Sequence, residues 1–219
     1  MVEISVSLLT IERKDYVKLF YDLETAKVDY FHIDVMDGKF VENNTMERME
    51  NYTSVLKNIS NIPLDIHLMV EDVKESINEY LAYEPNIITF HYEAIKEKED
   101  ILELIEYLKK NNTKVGIAIN PSTKIEEIFK YLPLIHMVLV MSVEPGKGKQ
   151  KLIPETIDKI KQLKEYIEKN NIEIDIEVDG GINKDTVGEV KKAGANIIVA
   201  GSAITLSNNY NEIVQKLKE

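Results

Sequence analysis

Residues 136–179 decide the fold, because they hold two strand-like runs joined by one helical run. The strand-like runs are HMVLVMSV (136–143) and EIDIEVD (173–179), which are rich in β-branched residues. Between them, PETIDKIKQLKEYIEKNN (154–171) repeats its apolar residues three and four positions apart, the spacing of an amphipathic helix. This order predicts a strand–helix–strand unit of a parallel sheet.

The same alternation continues in both directions along the chain. DILELIEYLKKNN (100–112) is a second clear amphipathic run. The other strand-like runs are 3–9, 30–36, 63–70, 86–93, 114–120 and 196–204. Eight strands, each followed by a helix, predict an α/β fold of the (β/α)8 TIM-barrel type. The main alternative is an open doubly wound sheet, which usually places a glycine-rich fingerprint after its first strand, where this chain has SLLTIERKD (7–15).

Composition and charge narrow the interpretation. No Ser/Gly/Pro-rich linker or shift in composition divides the chain, so residues 1–219 are expected to form a single catalytic domain. A net charge of −11 argues against nucleic acid as a partner, and no apolar run approaches the roughly 18 residues of a membrane span. The same charge would repel a small anion at long range, so any phosphate must be held by local groups. Without a secretory signal or any cysteine, a cytoplasmic protein is the default expectation.

Polar residues stand at the ends of three predicted strands. The second strand carries His32 and Asp34, the third carries His67, and the seventh ends at Asp179. Active sites of these barrels form at the carboxyl ends of the strands, and residues two apart on a strand share a face. Two imidazoles and two carboxylates could therefore converge over the barrel mouth. This donor set suits Zn²⁺, Mn²⁺, Fe²⁺ or Co²⁺, with coordination positions left open for substrate oxygens.

Other histidines and carboxylates have more ordinary interpretations. His136 is expected to be a hydrogen-bonded core residue, and His91 is left open between a pocket wall and a structural hydrogen bond. Asp37 and Asp65 are expected to orient or cap neighbouring groups. For the histidines of the second and third strands the site is favoured, because the carboxylates two positions away would be costly to bury without partners.

Glycines follow three neighbouring strands. They occur in the loop Gly146–Lys149 after the sixth strand, at Gly180 and Gly181 after the seventh, and at Gly201, beside Ser202, at the end of the eighth. Loops after the seventh and eighth strands commonly bind phosphate in these barrels, because glycine lets backbone N–H groups approach oxygen. One such turn is weak evidence, since turns need glycine anyway. Three together indicate a phosphate site.

The longer motifs extend over nearly the whole chain. They are ISVSLL (4–9), HIDVMDGKFV (32–41), PLDIHLMV (63–70), TFHYEA (89–94), GIAINPST (116–123), VLVMSVEPG (138–146), IEVDGGI (176–182) and AGANIIVAGSAI (193–204). In content and order they resemble the ribulose-phosphate 3-epimerase family, and HxDxMDGxFV together with VDGG is highly specific. The resemblance implies a barrel of the ribulose-phosphate-binding type.

The resemblance also implies roles for individual residues. The metal ligands would be His32, Asp34, His67 and Asp179, holding one divalent ion per chain (Zn²⁺, Fe²⁺, Mn²⁺ or Co²⁺). Asp34 and Asp179 would also be the catalytic acid–base pair. The implied substrate-binding residues are Ser7, Met36, His67, Met69, Met141, Gly146, Lys147, Gly148, Lys149, Gly180, Gly181, Gly201 and Ser202.

The implied activity is that of an isomerase of the pentose phosphate pathway. It would interconvert D-ribulose 5-phosphate and D-xylulose 5-phosphate by two-aspartate proton transfer through a metal-stabilised enediolate. We expect a ketose phosphate as the partner and a homo-oligomer as the assembly. One alternative is a 3-epimerase of a hexulose phosphate such as D-allulose 6-phosphate, against which the VDGG and GSA motifs count. Another is a non-catalytic binding barrel, against which the four intact ligand positions count.

Two loops depart from the family pattern. The family's GFxGQ is GKGKQ (146–150) here, so that Lys147 and Lys149 replace an aromatic residue and a glycine. The family's FVPN is FVEN (40–43) here. The two lysines either contact the substrate phosphate or point to solvent, and the sequence leaves both possibilities open.

Overall fold

Eight parallel strands close into a barrel in the computed structural model, which describes residues 2–11 and 14–219. The strands are β1 (Glu3–Ser7), β2 (Tyr30–Met36), β3 (Leu64–Met69), β4 (Ile87–His91), β5 (Lys114–Ile119), β6 (Met137–Met141), β7 (Asp175–Asp179) and β8 (Ile197–Ala200). Consecutive strands are neighbours, and β8 pairs with β1. The predicted (β/α)8 barrel is confirmed, and the open sheet is excluded. Residues 12 and 13 of SLLTIERKD, and residue 1, lie outside the described residues.

Helices connect the strands on the outside of the barrel. They are α1 (Tyr16–Thr25), α2 (Met46–Ile59), α3 (Val73–Leu81), α4 (Asp100–Lys110), α5 (Glu155–Asn170), α6 (Val187–Ala193), α7 (Ser202–Thr205) and α8 (Tyr210–Lys218). In α4, acidic residues occupy the first turn and lysines the last, which complements the helix dipole. Between β5 and β6 the chain forms a 3₁₀ segment (Ile125–Leu134) that contains Pro133, a residue without the backbone N–H that a longer α-helix needs. Across residues 2–11 and 14–219, no helix is long and apolar enough to cross a membrane.

Two of the predicted strands extend into residues that form a helix or a turn. The run 196–204 ends as a strand at Ala200, and Ser202–Thr205 forms α7. The run 86–93 ends at His91, and Tyr92–Ala94 forms a 3₁₀ turn. Both errors have one cause, since a short apolar run has the same periodicity whether it continues as a strand or turns into a buried helix.

The strand register brings the polar residues of the predicted site to neighbouring levels. Aligned Cα partners are Ser7 with His32, Asp34 with His67, Met36 with Met69, and Met141 with Asp179. Apolar side chains between the barrel and its helices, such as Phe20, Phe31 and Tyr52, form the main core. The polar residues therefore stand on a rigid, close-packed support.

Candidate active site

Four side chains meet at the carboxyl ends of β2, β3 and β7, and we call them the four-residue cluster: His32, Asp34, His67 and Asp179. Each offers one nitrogen or oxygen atom, and these atoms all lie within 4.8 Å of one another. Oδ1 of Asp34 lies 3.4 Å from Nε2 of His32 and 3.3 Å from Nδ1 of His67. Its Oδ2 accepts a 2.7 Å hydrogen bond from the hydroxyl of Ser7. The structure thus brings together the residues that the spacing predicted.

The imidazole of His32 is held from behind by a carboxylate. Its Nδ1 lies 2.5 Å from Oδ2 of Asp65, which also accepts a hydrogen bond from Ser5. Glu177 lies next to this pair, with an oxygen 3.9 Å from Nδ1 of His32. Its carboxyl group is buried beside that of Asp65, and burial, followed by repulsion from Asp65, raises its pKa well above the usual value. Asp65 therefore has the orienting position that the sequence indicated for it.

The imidazole of His67 is held from behind by a second imidazole. Its Nε2 lies 2.9 Å from Nε2 of His91, whose own Nδ1 lies 3.2 Å from Oε2 of Glu93. Glu93 accepts hydrogen bonds from the backbone N–H of Asn120 and from the hydroxyl of Thr123. For His91, of the two possibilities left open, the structure shows the hydrogen bond, since this buried ring is not part of the cavity wall.

The remaining candidates have structural contacts. His136 is half-buried before β6, and its Nδ1 accepts a 3.0 Å hydrogen bond from the backbone N–H of Val115. Asp37 accepts backbone hydrogen bonds from Lys39, Phe40 and Glu71, which places it as a cap on the loop after β2.

The electrostatics of the cluster are dominated by burial and by the close carboxylates. Burial would raise the pKa of Asp34, but the adjacent His32 and His67 outweigh it and hold this pKa far below its usual value. For His32, burial lowers the pKa, but Asp65 and Asp34 raise it well above the usual range. Burial, followed by repulsion from Asp34, raises the pKa of Asp179 to about 7. The two aspartates therefore differ strongly in proton affinity.

The hydrogen-bonded residues His67, His91 and Glu93 all have pKa values below their usual ones. Burial lowers the pKa of His67, and burial lowers that of His91 to about 4, so both rings are neutral at pH 7. Burial opposes ionisation of Glu93, but its hydrogen bonds with His91 and Thr123 outweigh this and lower its pKa to about 2. The chain behind His67 thus ends on an ionised carboxylate.

The donor set and its hydrogen bonds fit a divalent metal ion. Nε2 of His32 is buried, faces Asp34, and has no hydrogen-bond partner of good geometry among the described residues. Two imidazole nitrogens and two carboxylates are a usual ligand set for Zn²⁺ and its neighbours. The structure therefore has a buried histidine–aspartate group that could bind a metal.

A cavity of about 360 Å³ opens directly above the cluster. Asp34 and Asp179 form part of its wall, whereas His32 and His67 lie fully buried beneath it. The other predicted substrate-binding residues all line it: Ser7, Met36, Met69, Met141, Gly146, Lys147, Gly148, Lys149, Gly180, Gly181, Gly201 and Ser202. His67, also predicted to bind substrate, does not line this cavity. The three methionines are buried and give one side of the cavity an apolar, polarizable surface.

Three segments line the outer end of the cavity, and we call them the glycine loops: 146–149, 180–181 and 201–202. Glycine is required at Gly181, where φ is +67° and an added Cβ would lie 2.3 Å from the backbone nitrogen of Leu152. At Gly146, with φ of +99°, an added Cβ would lie 2.8 Å from Val41. The loops after β2 and β6 are therefore packed directly against each other.

The two departures from the family pattern contact each other across this junction. Nζ of Lys147 lies 3.0 Å from a carboxylate oxygen of Glu42, and both side chains are largely exposed. Beside them, the side-chain amide of Asn43 donates a 2.5 Å hydrogen bond to the carbonyl oxygen of Gly146. Lys149 has a left-handed backbone with φ of +60°. This ion pair between residues 105 positions apart was not predicted, because no spacing in the sequence reports it.

Comparison with known proteins gives one consistent family. The family model described as Ribulose-phosphate 3 epimerase family matches residues 3–205. A ribulose-phosphate 3-epimerase of Methanocaldococcus jannaschii is 38% identical, with coverage of 100% of this chain and 91% of that protein. Those of Escherichia coli (strain K12) and Bacillus subtilis (strain 168) are 36% and 33% identical, over 88% and 100% of this chain and 84% and 99% of those proteins.

Solved structures of lower similarity share the fold. A 3-keto-L-gulonate-6-phosphate decarboxylase from Vibrio cholerae matches with a TM-score of 0.72 at 13% identity, covering 100% of this chain and 96% of that one. A 3-hexulose-6-phosphate synthase from Salmonella typhimurium matches with a TM-score of 0.70 at 16% identity, covering 98% and 96%. At these identities the likeness shows the barrel alone.

Proposed function

The chain belongs to the ribulose-phosphate 3-epimerase family and is an epimerase, and from this premise we propose that it interconverts D-ribulose 5-phosphate and D-xylulose 5-phosphate in a metal-dependent reaction. The observation that carries the proposal is the four-residue cluster, whose ligand atoms lie within 4.8 Å of one another below a cavity lined by the glycine loops. This arrangement combines an acid–base site with room for a sugar phosphate. We further propose one catalytic domain over 1–219, a homo-oligomer and a cytoplasmic location.

Asp34 and Asp179 are the proposed acid–base pair. Both line the cavity, and their pKa values are displaced in opposite directions. Asp34 would take the proton from the carbon beside the ketone, and Asp179 would deliver one to the other face. In the reverse reaction the two residues exchange roles.

His32, Asp34, His67 and Asp179 would hold the divalent ion. When bound, it would supply positive charge beside the oxygen atoms on which negative charge develops. The protein's own contribution is to aim the two imidazoles, through Asp65 behind His32 and His91 behind His67.

The remaining lining residues would bind the substrate. Ser7 donates to Asp34 and would orient this carboxylate as well as the sugar. Met36, Met69 and Met141 would exclude water from the reacting carbons. The backbone N–H groups of the glycine loops would hold the phosphate locally, as a chain with a net charge of −11 requires.

The direct test is an assay of the metal-loaded protein with D-ribulose 5-phosphate and D-allulose 6-phosphate side by side. We expect faster turnover of the pentose phosphate, with exchange of the C3 hydrogen for solvent deuterium. Preference for the six-carbon substrate would make the chain a hexulose-phosphate epimerase. Metal binding without any C3 exchange would leave a binding barrel and refute the proposal.

A further inference from the structure

His67 is fully buried, and its two ring nitrogens face different partners. Nδ1 lies 3.3 Å from Oδ1 of Asp34, while Nε2 lies 2.9 Å from Nε2 of His91. A neutral imidazole has one N–H and one lone pair, so the proton of His67 is on only one of these sides. The position of this proton is important, because a metal binds the nitrogen that carries the lone pair.

The contact between the two Nε2 atoms needs one donor and one acceptor. The other nitrogen of His91, Nδ1, lies 3.2 Å from Oε2 of Glu93. Oε1 of Glu93 already accepts hydrogen bonds from the backbone N–H of Asn120, at 2.8 Å, and from the hydroxyl of Thr123. A carboxylate anchored in this way offers only lone pairs to His91. Asp34 competes for the same hydrogens, since its Oδ1 lies 3.3 Å from Nδ1 of His67, but that oxygen also faces Nε2 of His32 at 3.4 Å. Oε2 of Glu93 faces His91 instead, so Nδ1 of His91 carries the hydrogen and its Nε2 accepts.

We infer that Glu93 and His91 are positioning residues that keep the proton of His67 on Nε2 and turn its Nδ1 lone pair toward Asp34. The inference rests on the proposed metal-dependent function, in which this lone pair is a ligand. Hydrogen bonds then run in one direction, from Nε2–H of His67 to His91 and from Nδ1–H of His91 to Glu93. In the opposite direction, Nδ1 of His67 would carry the hydrogen and could not bind a metal.

Glu93→Gln is the variant that should reverse this direction. The amide oxygen of glutamine would accept from Asn120 and Thr123, which leaves its NH₂ group facing Nδ1 of His91. Because that group donates, His91 would move its proton to Nε2, and His67 would move its own to Nδ1. We expect the affinity for Zn²⁺ to fall by about 10–100-fold, the usual effect of altering a residue behind a metal ligand.

Two measurements test the direction of these hydrogen bonds and its effect on metal binding. Ring ¹⁵N chemical shifts of histidine-labelled, metal-free protein report the tautomers, and competition with a chromophoric chelator reports the affinity for Zn²⁺. In the parent, we expect His67 protonated on Nε2 and His91 on Nδ1, with both reversed in Glu93→Gln. A parent His91 protonated on Nε2 would overturn the inference even if the variant fails to fold. Parent-like affinity for Zn²⁺ in the variant would overturn it too.

Thr123→Val is the matched control. It removes one donor to the same carboxylate, but leaves Glu93 as an acceptor for His91. It should keep the parent tautomers and an affinity for Zn²⁺ close to that of the parent. An equal loss in both variants would indicate a general disturbance and overturn the inference. Because the tautomers are measured without metal or substrate, a parent that neither binds Zn²⁺ nor epimerises ribulose 5-phosphate would refute the proposed function and leave the tautomer test valid.

Discussion

The two ends of the cavity differ in the groups that line them, which are side chains at the inner end and mainly backbone at the outer end. At the inner end, the four-residue cluster consists of side chains on three rigid strands, and further side chains fix each imidazole from behind. At the outer end, the glycine loops present backbone, and their shape depends on close contacts such as those of Gly146 with Val41 and of Gly181 with Leu152. Under the proposed function, the inner end carries the reaction and the outer end binds the phosphate. Changes at the inner end should lower kcat, and changes at the outer end should raise KM.

Removing the metal should lower kcat more than any other change, and it should leave phosphate binding at the outer end unaffected. Chelation should abolish turnover, because the negative charge that develops in the reaction loses its compensating cation. Addition of Zn²⁺, Mn²⁺, Fe²⁺ or Co²⁺ should restore it, with one ion per chain by elemental analysis. Binding of inorganic phosphate, which would use the glycine loops, should persist. Full turnover in a thoroughly metal-free sample would contradict the metal site.

Replacing either aspartate should come next. Asp34→Asn and Asp179→Asn keep the side-chain shape but remove one proton carrier, so kcat should fall by at least about 10²–10⁴-fold, the usual contribution of an acid–base group. The exposed Asp185→Asn is the control and should behave as the parent. Steady-state kinetics combined with metal analysis would check this. Near-normal kcat in either cluster variant, with metal bound, would rule out the two-aspartate mechanism.

A methyl group at Gly181 should act on the outer end. Gly181→Ala places a Cβ against the backbone of Leu152 at a residue with positive φ, so we expect a raised KM and a loss of about 1–3 kcal/mol of stability. Gly188→Ala in α6 is the matched control, since no atom lies within 4 Å of its added Cβ, and it should gain about 0.5–1 kcal/mol. Thermal unfolding and kinetics test both. A lowered kcat with unchanged KM in Gly181→Ala would break the division between the two ends.

The loop lysines should give the smallest effects. If Lys147 or Lys149 contacts the phosphate, Lys147→Ala or Lys149→Gly should raise KM by up to about fivefold, as expected for an exposed charge pair, with a smaller change in kcat. Glu42→Gln should then lower KM, because it releases the ammonium of Lys147 from its ion pair. KM values in a salt series would decide this. If KM and its salt dependence are the same as in the parent in all three variants, both lysines point to solvent and do not contact the phosphate.

The sequence predicts the inner end better than the outer end, for a physical reason. His32, Asp34 and Asp179 can be placed because a strand alternates its faces strictly and a barrel gathers the carboxyl ends of its strands. The pairing of His91 with His67 joins two strands, and only the register between them brings the rings within reach. Spacing within one strand does not report that distance. The HYE triplet at 91–93 did carry a signal, since it placed a carboxylate two residues from a histidine at a strand end.

The loops required information that local patterns lack. The last predicted strand was extended through Ile204, although the chain turns at Gly201 and begins α7. Likewise, the ion pair of Glu42 with Lys147 depends on how two loops fold over the mouth. Loop conformation is set by contacts between distant segments. Apolar periodicity therefore predicts where the loops lie in the sequence, but not which conformation they adopt.

The carboxyl groups inside the barrel should make the metal-free protein less stable and shorten its lifetime in the cell. Three buried carboxyl groups, on Asp34, Asp65 and Glu177, and the half-buried one of Asp179 lie around the imidazoles of His32 and His67 inside the barrel. A newly made chain without its ion must keep these groups close together at the expense of stability, whereas an ion that binds only the folded barrel shifts the equilibrium toward it. Chains that miss their ion should therefore open more often and be degraded sooner by cellular proteases. Ion loading would then act as a maturation checkpoint, through which the supply of metal controls how many molecules survive.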